Sequence, residues 1–230
     1  MNQNYFDNKN ILKTFYESAG LGNKFEDECI YLETAFNEIE RLWQSNFSQI
    51  KTVNFLMIAE APLWGSSDGK YFYNPQTPFS QFFHSSDLCE ILKVPIIKNK
   101  LDFLIKCNEI GLLIIDLSPF PLNTDDTSLN YGKTTNISRK LKKSEYRELV
   151  SLTIPTYFKG KIKAVKEKKA NDMKIFFRYS RVMDTFQDII YKVLIDNDFI
   201  LQTNDLLDIS QKGGGIDKVK FGQIIKSNRI

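Results

Sequence analysis

Histidine is nearly missing from this chain: His84 stands alone among 230 residues. One imidazole leaves little scope for a histidine-rich zinc site or a histidine-based catalytic triad, and His84 itself reads as a surface or capping residue. Cysteine is almost as scarce. Cys29, Cys89 and Cys107 lie far apart, no pair has metal-ligand spacing, and an odd count argues against a disulfide framework. No metal and no cofactor are therefore expected, and three free thiols suit a reducing, cytoplasmic location. The opening MNQNYFDNKN lacks the basic-then-apolar pattern of a secretory leader. No run approaches the roughly 20 apolar residues that span a bilayer, so no membrane partner is expected. An excess of one charge is also missing: 31 Lys and Arg stand against 28 Asp and Glu, for a net charge of +3. That balance permits a nucleic-acid partner without demanding one. There is no G-x-S-x-G, no G-x-x-x-x-G-K-[ST] and no G-x-G-x-x-G after a strand, which counts against a hydrolase elbow, a P-loop and a dinucleotide site.

What remains is a globular composition, 42% hydrophobic and 26% charged, on a length that suits one domain spanning residues 1–230. Phe25, Cys29, Leu32, Phe36, Ile39, Trp43 and Phe47 fall on one face of a helix over residues 25–47. A shorter helix is expected around residues 10–18, and residues 1–50 would pack on the rest as N-terminal helices. The run at residues 53–59 is apolar but for Asn54 and that at residues 111–117 apolar but for Asp116, as strands buried on both faces are. A third strand is expected at residues 174–178 and a fourth at 199–202. Helical patterns cover residues 79–92, 101–109 and 182–194, with a closing helix over 216–225 after the GGG turn. Residues 142–169 are helix-like but interrupted at Pro155. Strands alternating with helices predict an α/β fold, a three-layer α/β/α sandwich around a central, mostly parallel four-stranded sheet.

In such sheets ligands bind beyond the carboxyl ends of the strands. The first strand delivers Glu60, Ala61 and Pro62, the second Asp116, Ser118 and Pro119, the third Arg178 and Arg181. After the fourth come Asp205, Asp208, Ser210 and the glycines Gly213, Gly214 and Gly215. Carboxylates, aromatics and arginines thus gather where the fold would place a site.

The stretch Ala59-Glu60-Ala61-Pro62, followed by a loop and the pair Pro78-Phe79, resembles the first motif of the uracil-DNA glycosylase superfamily. The strand GLLIIDLSPFPLN is similar to that superfamily's second motif strand, with Asp116 where Asn is common. The third strand and the C-terminal QKGGGIDKVKFGQII are similar in placement. Ala61 stands where well-known members carry an acid, Asp205-Leu206-Leu207 stands near their His-Pro-Ser segment, and the cysteines of the iron–sulfur branches are absent.

The resemblance implies hydrolysis of the N-glycosidic bond of a base flipped out of DNA. That chemistry asks for a carboxylate near the sugar, a positioned water and stabilisation of the departing base. Glu60 would orient or activate water, with Asp68 in reserve. Pro62, Tyr73, Phe79 and Asp116 would line the base pocket, Phe79 by stacking. Arg178, Arg181, Ser210, Lys212, Gly213 and Gly214 would meet DNA phosphates, and Leu206 or Leu207 would wedge the emptied stack. The basic run at residues 159–169 reads as a solvated helix face. Asp116 is the informative departure, because an ionised Asp only accepts hydrogen bonds. It suits adjacent N–H groups, such as guanine N1–H and N2–H, or the exocyclic amine of a cytosine-like base. A non-catalytic DNA- or protein-binding member of the same fold, or a hydrolase of free nucleosides, is the alternative.

Overall fold

The computed structural model describes residues 3–65, 70–79, 83–122, 126–130, 141–199, 205–211 and 215–227. The order is α1 (Gln3–Ser18), α2 (Gly22–Gln49), β1 (Val53–Ala59), α3 (Ser85–Leu92), α4 (Lys100–Ile110), β2 (Leu112–Asp116), α5 (Lys143–Thr153), a π-helical turn (Ile154–Phe158), α6 (Lys159–Lys166), β3 (Lys169–Phe177), α7 (Ser180–Ile195), β4 (Leu206–Asp208) and α8 (Lys218–Ser227). The fold is the expected α/β sandwich with a parallel four-stranded sheet.

The sheet order is β2-β1-β3-β4. β1 runs parallel to β3, with Leu56 opposite Ile175 and Ile58 opposite Phe177, and β3 runs parallel to β4. At the start of β2 the Gly111 carbonyl accepts from Asn54 N at 2.9 Å and Phe55 N at 3.0 Å, while at its far end Ser118 N donates to Glu60 O at 3.0 Å. Start meets start and end meets end, so β1 and β2 run in the same direction. Every residue of β2 is buried, as its apolar sequence requires.

Helix ends follow local chemistry. Asn99 caps α4, its side chain accepting from Leu101 N and Asp102 N. Gly111 ends α4 at φ +73°, and a Cβ there would run into the Thr52 carbonyl and stand 2.9 Å from Asn54 N. At α5, the Glu145 side chain accepts from Lys142 N at 2.7 Å. Pro155 does not interrupt the helix. It sits at the opening of the π-helical turn, where the wider ring absorbs its missing N–H, and α5 runs through into α6.

Three other boundaries differ from expectation. The helix expected from residue 79 begins at Ser85, with His84 as its exposed cap residue. The third strand starts at Lys169, not 174, because its N-terminal half is irregular and only partly buried. The fourth strand is Leu206–Asp208. Phe199 lies in no strand, and residues 200–202 are outside the described residues.

The residues cluster into two compact units, each drawn from separated stretches. The first comprises Met1–Gln44, Glu60–Asn74 and Asp116–Gly160; the second Ser45–Ala59, Pro75–Ile115 and Lys161–Ile230. In the first, α1 packs on α5 and the π-helical turn. Phe36 is its aromatic centre, with Tyr5, Phe120 and Tyr157 rings 5.3, 6.1 and 6.2 Å away. Glu28 ties α2 to residues 126–130: it accepts from Tyr16 Oη at 2.6 Å, Ser128 N at 2.7 Å and Ser128 Oγ at 2.6 Å. In the second, α7 packs on β3 and α3 on α8. Phe83, Phe103, Phe176 and Phe221 form a chain of ring contacts. Among the described residues, no helix is long and apolar enough to cross a membrane.

Candidate functional site

Two acidic residues stand at neighbouring strand ends. β1 stops at Ala59 and passes the chain to Glu60; β2 closes on Asp116. The Ser118–Glu60 backbone bond holds the two exits side by side. Ser118 is itself fixed, its hydroxyl donating to Phe120 O at 2.8 Å and accepting from Phe120 N at 3.1 Å. Glu60 and Asp116 are only 8% and 6% exposed. Carboxylates in that position need hydrogen-bond donors. For Glu60 one donor is Tyr146 on α5, whose hydroxyl lies 2.5 Å from Glu60 Oε1.

The first unit also buries three phenols. Tyr71, Tyr73 and Tyr157 are all buried. Tyr71 and Tyr73 meet edge to face at 5.7 Å, and Phe72 meets Tyr73 at 5.0 Å. Burial, chiefly, and then the negative charge of Asp116 push the Tyr71 hydroxyl well above its ordinary pKa. Tyr157 is pushed the same way by burial, then by Glu40 and Asp116. Glu40, on α2, is 6% exposed and belongs to the same group. Pro62 is buried beside Glu60 in sequence. Of the expected site residues, the first unit therefore holds Glu60, Pro62, Tyr73 and Asp116.

The second unit holds Phe79, Arg178, Arg181, Ser210, Leu206 and Leu207. Phe79 is half-buried, its ring edge-on to Phe103 at 5.5 Å. Arg178, at the end of β3, is 3% exposed and donates from a guanidinium nitrogen to Gly215 O at 3.1 Å. Its guanidinium lies 4.5 Å over the Tyr179 ring, and burial draws its pKa below the ordinary value against the pull of Tyr179 and Asp87. Arg181 is exposed, 5.6 Å from the same ring. Ser210 is taken up locally, its backbone N and hydroxyl donating to the two carboxylate oxygens of Asp208. Leu207 is half-buried and opposite Phe176 in the sheet, while Leu206 is buried. Asp68, Lys212, Gly213 and Gly214 lie outside the described residues.

The basic run at residues 159–169 is not a uniformly solvated face. Lys161 is buried, and Lys168 donates to the carbonyls of Phe47 and Ile50 at 2.8 Å. Its positive charge satisfies the C-terminal end of α2, as the helix dipole favours.

Tyr146, Tyr157 and Glu40 were not legible as site residues. A signal exists nonetheless. Tyr146, Leu149, Val150, Thr153 and Tyr157 form a buried stripe, and a tyrosine on such a stripe must find a partner for its hydroxyl. Glu40 stands one turn after Phe36 on the apolar face of α2, an acid in a core position.

No family model matches this chain, and neither a curated protein nor a solved structure matches it. Among the described residues, no group of three or more His, Cys, Asp or Glu side chains could hold a metal ion.

Proposed function

We propose that this protein is a DNA glycosylase-like enzyme that hydrolyses the N-glycosidic bond of a flipped, modified base, a divergent relative of the uracil-DNA glycosylase superfamily. The observation that carries the reading is the pairing of Glu60 and Asp116 at adjacent strand ends under the Ser118–Glu60 bond. A carboxylate is needed to stabilise an oxocarbenium-like sugar and orient water, and a second polar group to read the base. Glu60, steadied by Tyr146, takes the first role. Asp116 takes the second, within the aromatic wall of Tyr71 and Tyr73. Arg181 is the exposed cation suited to a phosphate contact.

Two observations favour a second reading. Ala61 removes the acid that familiar members carry, and Glu60 is already engaged by Tyr146. Both suit a protein that binds a base in DNA without cutting its bond.

Labelled duplexes carrying single modified bases, incubated with the protein and then treated with alkali, separate the two. Strand breaks at one base type support the enzyme. Binding without breaks supports the second reading, and neither binding nor breaks across the panel rejects both.

A further inference from the structure

Helix α4 keeps an apolar row on its outer surface. Leu101 is 50% exposed and Ile105 42%, and residues four apart stand over one another on one face of a helix. The connection from α3 adds Pro95 and Ile96, both exposed. Single exposed apolar side chains are ordinary, whereas a cluster of them marks a surface that something covers. Two hollows open beside the row. One, of about 590 Å³, lies between residues 94–97 and the Asp102–Lys106 side of α4. The other, of about 620 Å³, is lined by Ile105, Asn108, Lys51 and Thr52. Helices pack by setting the side-chain rows of one into the grooves of the other. The 11 residues of α4 offer about 16 Å of such a ridge. All of these residues belong to the second unit.

The charge around this row is positive. Lys51, Lys93 and Lys98 are exposed, and among the described residues none of their ammonium groups has a partner. The acids nearby are committed. Asp102 stands in the first turn of α4, where a helix N-terminus favours negative charge. Glu109 accepts from Lys106 at 2.8 Å, and Glu90 from Lys218 at 2.5 Å. We infer that the outer face of α4, with the connection at residues 94–98, docks an amphipathic helix of an acidic partner protein. Its apolar side chains would sit in the two hollows, and its Asp and Glu residues would face Lys51, Lys93 and Lys98. A second copy of this chain would bring lysines against lysines, a like-charge cost. A DNA backbone would suit the lysines but set Ile96, Leu101 and Ile105 against phosphates. A helix apolar along one face and acidic at its edges answers both features. The docking face shares no residue with the strand-end acids Glu60 and Asp116, so it stands or falls apart from the glycosylase reading.

The test pans a phage-displayed library of helical peptides on the full chain. Enriched clones should carry Leu, Ile or Phe at i, i+4 and i+7, with an excess of Asp and Glu beside them. A fluorescein-labelled peptide of the best clone should bind the Leu101→Ser/Ile105→Ser protein at least about tenfold more weakly. The melting temperature should stay level, because both side chains are exposed. The Lys51→Glu/Lys98→Glu protein should reject that peptide and gain affinity for its counterpart with Lys in place of each acid, a reversal that loss of fold could not produce. Clones without an acidic excess, binding that survives both double variants, or a library that yields no clone would overturn the inference. So would a dimer in sedimentation velocity that Leu101→Ser/Ile105→Ser breaks, since the occupant would then be a second copy. Displacement of the peptide by equimolar duplex DNA would overturn it as well, by giving the lysines to phosphates.

Discussion

The Tyr146 hydroxyl donates a 2.5 Å hydrogen bond to Glu60 Oε1, linking α5 to the residue that follows β1 across 86 positions of sequence. Both side chains are buried. A buried carboxylate that loses a donor costs more than the bond itself is worth. Tyr146→Phe should lower stability by about 1–3 kcal/mol in urea titrations. Glu60→Gln alone should cost a similar amount, and the double variant less than the sum, because the two changes remove one interaction. Strict additivity would mean that the contact contributes nothing.

Alkaline pH should first strengthen the fold and then weaken it. Burial lowers the Lys100 pKa from 10.5 to about 8. Between those values the unfolded chain keeps a proton that the folded chain has shed, so stability rises with pH. Above about pH 10 the sign reverses. Burial raises the tyrosines at positions 16, 71 and 157 above their ordinary values, so the fold retains protons that the unfolded chain releases. Urea midpoints collected from neutral pH to about pH 11 should pass through a maximum. Lys100→Met should flatten the rising limb and spare the falling one.

The two arginines after β3 should separate cleanly. Arg181 is exposed. Each phosphate contact contributes roughly −0.9 to the slope of log affinity against log salt. Arg181→Ala should therefore reduce the slope of duplex binding by about one, with little change in melting temperature. Arg178 is buried and bonded to Gly215 O, so Arg178→Ala should instead lower the melting temperature. If the salt slope follows Arg178 and ignores Arg181, the assignment of the phosphate contact is wrong.

Gly111 should tolerate no side chain. Its φ of +73° disfavours any L residue, and a Cβ would meet the Thr52 carbonyl at the start of β1. Gly111→Ala should destabilise by well over about 1 kcal/mol. A urea midpoint like that of the wild type would show that the loop can shift to make room.

Much of this was legible in sequence, for physical reasons. β1, apolar but for Asn54, and β2 are largely apolar runs that stop at acids, so both their buried interiors and the polar character of their exits were readable. α2 was readable because its stripe runs from Phe25 to Phe47. The fourth strand was not. Leu206–Asp208 is three residues long and is specified by its pairing with Ile175–Phe177 rather than by its own pattern. Pro155 suggested a break because the π-helical turn that accommodates it has no sequence signature of its own. Glu60 could be named as a candidate, but Tyr146 could not be named as its donor, since hydrogen bonds between distant segments leave no periodic trace. Nothing in sequence reveals that the Tyr71 hydroxyl has no hydrogen-bond partner among the described residues.

The first unit is assembled from Met1–Gln44, Glu60–Asn74 and Asp116–Gly160. During synthesis its helices α1 and α2 emerge first and must wait for most of the chain before Tyr146 can reach Glu60. A ribosome stalled before α5 would hold a nascent protein whose β1 and β2 are complete but whose Glu60 lacks that donor. Neither unit can be cut out as a continuous fragment, so a truncation series should yield no folded half and no partial site.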